Sequence, residues 1–114
     1  MVAPAKTEQV FEYLKKCAAD MRTATYGEIA KACELASFGI GLQLGYVRDE
    51  ICRKRGLPWL SAIAVNAETR RPGGSFLPEG VALGDDGDRL WRGMVLHVFA
   101  YDWTSVSFVD PYGQ

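Results

Sequence analysis

The strongest constraint on this chain is a helical apolar rhythm that runs through its first half and stops at Gly56. From Thr7 the residues Val10, Phe11, Leu14, Cys17, Ala18 and Met21 recur at steps of three and four, with Glu8, Glu12, Lys15 and Lys16 between them. That spacing predicts an amphipathic helix, with Thr7 as its cap. Thr25 followed by Glu28 is the spacing of a capping box, so a second helix opens there, with Ile29, Ala30, Ala32 and Cys33 facing inward. After the polar, glycine-bearing break Ser37-Phe38-Gly39-Ile40-Gly41, a third helix is expected from about Leu42 to Lys54. Leu44, Val47 and Ile51 would face in, and Arg48, Arg53 and Arg55 out. Arg55-Gly56 suits its C-terminus, because a cation complements the helix dipole and glycine tolerates the left-handed turn.

The texture changes at Leu57-Pro58-Trp59. The short apolar run from Leu60 to Val65, the polar stretch to Arg70-Arg71-Pro72-Gly73-Gly74 and then Ser75-Phe76-Leu77 read as a β-hairpin with a basic tip. Beyond the break at Pro78-Glu79-Gly80, Asp85 or Asp86 caps a fourth helix. Its apolar rows hold Leu90, Trp91, Met94, Val95, Val98 and Phe99, and Tyr101, Trp103, Val106 and Phe108 follow. The fold class expected is mainly α with a small β-hairpin: a winged helix-turn-helix plus a C-terminal helix. At 114 residues a single domain is expected over 1–114, with core and wing in 1–77 and the C-terminal helix and tail in 78–114.

Charge narrows the function. The net charge of −1 argues against a protein held to nucleic acid by bulk charge alone. Residues 1–36, 37–71 and 72–114 carry formal charges of 0, +3 and −4, so positive charge collects in the middle. Such polarity lets a domain dock on phosphate by one side. The candidates for DNA contact are Tyr26, Gln43, Arg48, Arg53, Lys54, Arg55, Arg70 and Arg71. Gln43 could read a base edge, and the two arginines beside the glycines could reach a groove or a phosphate.

Three cysteines without a close pair make neither a disulfide framework nor a zinc site, and Cys17, Cys33 and Cys52 are expected as buried thiols. Asp85, Asp86 and Asp88 lack the spacing of a calcium loop. No nucleophile with a partnering base is visible, so neither enzymatic activity, a metal nor a cofactor is expected. There is no apolar run long enough to span a membrane and no signal peptide at Met1 to Lys6, which points to the cytoplasm.

Thr25-Tyr26-Gly27-Glu28-Ile29-Ala30, then Gly41-Leu42-Gln43-Leu44-Gly45, Gly56-Leu57-Pro58-Trp59 and Ala64-Val65-Asn66 resemble the DNA-binding domain of alkylguanine-DNA alkyltransferases and the catalytically silent alkyltransferase-like proteins. The resemblance covers roughly residues 23–74. It implies a winged helix whose helix from Gly41 enters the minor groove of duplex DNA, with Tyr26 beside the backbone of the target nucleotide. Two positions depart from the family. Its base-replacing arginine falls on Leu42, and its catalytic cysteine falls on Trp59, followed by Leu60-Ser61-Ala62 in place of H-R-V. Alkyl transfer is therefore not expected. The expectation is a non-catalytic DNA-binding protein, from a phage-related or mobile-element setting, that recognises duplex structure or regulates transcription. The alternative is a protein-interaction module of a phage or defence complex, using the acidic, aromatic last third. A homodimer through the C-terminal aromatic helix is the further partner considered.

Overall fold

A computed structural model describes residues 3–36, 39–72 and 85–108, with the side chains of Asp85 and Asp86 excepted. Among them are four α-helices: α1 (Thr7–Ala19), α2 (Tyr26–Ala32), α3 (Gly41–Tyr46, running on as π-helical turns over Val47–Arg53) and α4 (Asp85–Ala100). Two short strands, β1 (Ala24–Thr25) and β2 (Ala64–Val65), pair in parallel, with Ala24 opposite Ala64 and Thr25 opposite Val65. The chain is mainly helical, as its periodicity requires.

α1 is the central element. Val10, Phe11, Leu14 and Cys17 on its inner face are fully buried. Its start differs from expectation, because Thr7 is the first helical residue and Lys6 takes the preceding position in the left-handed region. The Thr7 hydroxyl donates to the Pro4 carbonyl, and no side-chain hydrogen bond caps the N–H groups ahead. At α2 the capping box forms as read: the Glu28 N–H donates to Thr25 Oγ1 and the Thr25 N–H to Glu28 Oε1. That backbone bond, first among the causes, holds the Glu28 carboxyl below its ordinary range.

Three helices end in one way. Arg22 N–H reaches Cys17 O, Leu35 N–H reaches Ala30 O and Leu57 N–H reaches Cys52 O, each with a bond of shorter sequence span nested inside. This is the Schellman pattern, which puts one residue in the left-handed region. Gly56 takes it without strain at φ 67°, but Met21 and Glu34 take it at 56° and 57°. A Cβ is unfavourable there. Met21→Gly and Glu34→Gly are each expected to raise stability, by about 0.5–1 kcal/mol after the greater freedom of glycine in the unfolded chain is counted. Urea unfolding midpoints check this, and a fall at both sites would refute it.

The run Leu60 to Val65 is not one strand. Leu60–Ile63 forms a 3₁₀ turn, and only Ala64 and Val65 are extended. All six are buried, and period alone cannot assign an apolar run this short. Beyond it, Asn66 and Arg71 close a tight turn through Asn66 N–H to Arg71 O, with Arg70 in the left-handed region. The expected return strand Ser75-Phe76-Leu77 lies outside the described residues.

α4 lies on this core. Val98 is fully buried, and Trp91, Met94, Val95 and Phe99 pack half-buried against the cluster. Trp91 Nε1 donates to Ala62 O at 2.8 Å, and Trp103 Nε1 donates to Val98 O at 2.9 Å. Most of the apolar stripe is thus consumed within the chain, and Leu90, Leu96 and Tyr101 are its large exposed apolar residues. Among the described residues no helix is long and apolar enough to cross a membrane.

Candidate functional site

The residues singled out from sequence fall into separate settings. Tyr26 is the first residue of α2 and half-buried, its ring packed against the core cluster. Gln43 is buried on the inner side of α3, where Nε2 donates to Ala5 O at 3.0 Å and Oε1 has no hydrogen-bond partner. A side chain so placed ties the residues before α1 to α3 and presents nothing to a base edge. Sequence reasoning put Gln43 outside because it is polar, whereas the position belongs to the inward row of the helix.

The basic cluster is compensated. Arg48 grips its neighbour Asp49 in a two-pronged pair, Nε to Oδ1 and Nη2 to Oδ2, both at 2.8 Å. The guanidinium, through those hydrogen bonds, holds the Asp49 carboxyl below its ordinary value. Arg53 approaches Asp49 at 3.9 Å, and Lys54 meets Glu50 at 2.7 Å. The hydrogen bond to Glu50 raises the Lys54 ammonium above its usual range. Arg55 turns inward, its two terminal nitrogens donating to the carbonyls of Ser107 and Phe108 at 2.6 Å each. Arg71 pairs with Asp88 on α4 at 2.9 Å. Arg70 stands on the tight turn and is one of the charges acting on Glu28. The arginines therefore do not form one uncompensated electropositive face.

Part of this was legible. Glu50 and Lys54 stand four apart on one helix, the spacing of an ion pair, whereas the bonds from Arg55 and Arg71 join residues far apart in sequence.

What the structure exposes in the first turns of α3, Gly41–Tyr46, is apolar. Leu42, in the first turn, is 72% exposed. A Cβ added at Gly41 or Gly45 would meet nothing within 4 Å, so the outer surface of this helix is smooth and open. Pro4, Gly41, Leu42, Gly45 and Tyr46 line a shallow groove of about 280 Å³ there, with Asp49 and Glu50 at one end. This face can accept a flat or ridged apolar surface, with side-chain hydrogen-bonding capacity supplied by Tyr46, Asp49 and Glu50.

The three thiols are buried, and burial pushes each above its ordinary pKa, Cys52 to about 11. Such thiols are poor nucleophiles, since the thiolate is the reactive form. Trp59, at the position of the alkyltransferase cysteine, is half-buried against the core. Among the described residues no three His, Cys, Asp or Glu side chains gather where they could hold a metal ion. Comparison with protein-family models, with curated proteins and with solved structures gives no match.

Proposed function

We propose that this chain is a non-catalytic, cytoplasmic DNA-binding protein of winged helix-turn-helix type, alkyltransferase-like over residues 23–74. It would seat α3 in the minor groove of duplex DNA with Leu42 as an apolar wedge. The observation that carries this reading is the exposure of Leu42 at the start of a helix whose neighbouring surface positions are glycines. An exposed leucine is unfavourable in water, and minor-groove proteins insert such side chains between base steps. Bare glycines let the helix backbone approach the groove closely. The sequence likeness adds Tyr26 near the DNA backbone.

Charge plays a small part in this reading. Arg53 and Lys54 have side chains 67% and 68% exposed, and ion pairs so open contribute only about 0–1 kcal/mol, so both can turn to phosphates. Arg70, on the turn, is the third candidate. With about three phosphates neutralised, the slope of log K against log salt should be near −3, at roughly −0.9 per phosphate.

Leu42→Ala is expected to weaken duplex binding about tenfold, since unstacking is then no longer stabilised by the wedge. The circular dichroism spectrum should not change, because Leu42 touches no core residue's place. Titration of a labelled duplex at two salt concentrations measures both quantities. Absence of binding at low salt, or equal affinity of the L42A protein, overturns the proposal.

The groove supports a second reading, a protein-interaction module of a phage- or defence-related complex. Asp49 and Glu50 at its end favour a partner's cation over a phosphate. Asp49→Asn with Glu50→Gln separates the two: DNA affinity should rise under the first reading, and partner affinity should fall under the second.

A further inference from the structure

Residues Val106–Phe108 cross the surface over α1 and the end of α3, and they are held in an unusual way. Lys15 Nζ donates to Val106 O at 2.7 Å, and the Arg55 fork donates to Ser107 O and Phe108 O. The Phe108 ring lies 5.9 Å from Phe11 and stacks on Tyr46 at 6.2 Å. Among the described residues no backbone-to-backbone hydrogen bond joins this strap to the helices; the Val106 N–H bonds locally to Trp103 O. The polar contacts therefore read three consecutive main-chain carbonyls, which any peptide possesses, and selectivity rests on one aromatic ring.

We propose that Lys15, Arg55, Phe11 and Tyr46 form a peptide-docking site, occupied here in cis by Val106–Phe108. Its trans occupant is an extended segment of a partner protein with an apolar–small–aromatic sequence. The site itself specifies this chemistry. Two cations aimed at carbonyls disfavour a basic segment, and the chain's own stretch Thr104-Ser105-Val106-Ser107-Phe108-Val109-Asp110 has one carboxylate and no cation. Phe11 and Lys15 lie within α1, Tyr46 within α3 and Arg55 just after its π-helical turns, so the site is built on helices rather than on the strap's own loop. A tethered occupant competes at a high effective concentration, so the intact protein is self-masked until the strap lifts. This inference is independent of any binding to DNA.

The test uses the full chain and a fluorescent peptide of sequence TSVSFVD. Phe108→Ala empties the aromatic niche, and it should bind the peptide at least about tenfold more tightly than the wild type, whose own strap competes at roughly millimolar effective concentration. A peptide with alanine in place of phenylalanine should not bind, and Arg55→Ala added to Phe108→Ala should abolish binding. Equal affinity of wild type and Phe108→Ala, or no binding by the folded variant, overturns the proposal. Should Phe108→Ala not fold, hydrogen exchange of the wild type decides. The Val106 amide, the strap's hydrogen-bonded N–H, exchanging far faster than those of α1 supports an opening strap; exchange at the global unfolding rate makes it plain core and refutes the docking site.

Discussion

Phe11→Ala should remove about 3–5 kcal/mol of folding free energy, the usual range for deleting a fully buried aromatic side chain. Phe11 is entirely buried on α1, the helix against which the others pack, and its ring meets both Phe108 and the Lys15 ammonium. A domain of this size has roughly 5–15 kcal/mol in total, so the melting temperature should fall by about 10–20 °C or the chain should fail to fold. Leucine at this site keeps most of the apolar volume and should recover more than half of the loss. Calorimetric or denaturant unfolding measures the difference. A loss below about 1 kcal/mol would show that the surrounding helices close over the hole, contrary to the packing described.

The second large effect is alkaline. Burial, opposed by weaker influences from the Leu60 backbone and Arg55, raises the Cys52 thiol from its ordinary 9.0 to about 11. The folded state therefore keeps a proton that the unfolded chain releases. Stability from this group is complete below pH 9 and declines as pH rises from 9 towards 11. At about 1.4 kcal/mol per pKa unit, the full loss is about 3 kcal/mol. Cys17 and Cys33, also raised by burial, act in the same direction. Urea midpoints from pH 7 to 11 should fall in the wild type and fall less in Cys52→Ala, although that variant starts lower because of the cavity it leaves. Identical slopes in the two proteins would mean that Cys52 ionises freely in the native state.

How far the residues foretold this structure depends on the range of the interactions involved. The three- and four-residue rhythm of α1 and α4, the Thr25–Glu28 box and the Gly56 stop are local and stand where periodicity and capping chemistry place them, whereas Thr7 opens α1 without capping it and Met21 lies exposed beyond its end. The partners of β1 and β2 lie forty positions apart, and two-residue strands leave no periodic trace, so their parallel pairing could not be read. The same distinction governs the site. Asp49 beside Arg48 and Glu50 four residues before Lys54 are local partners that the sequence displays, whereas the carbonyls that engage Arg55 lie across the fold. Charge counted along a chain does not report charge left uncompensated in space.

The π-helical turns over Val47–Arg53 affect any future alignment of this chain. A wider turn accommodates one residue more than an α-helix would between the same two ends, and it keeps both flanks in register with the core. A homologue with a plain α-helix in this stretch would match only across a one-residue gap. Roles transferred position by position through it, from Asp49 to Arg53, would then be out of step by one.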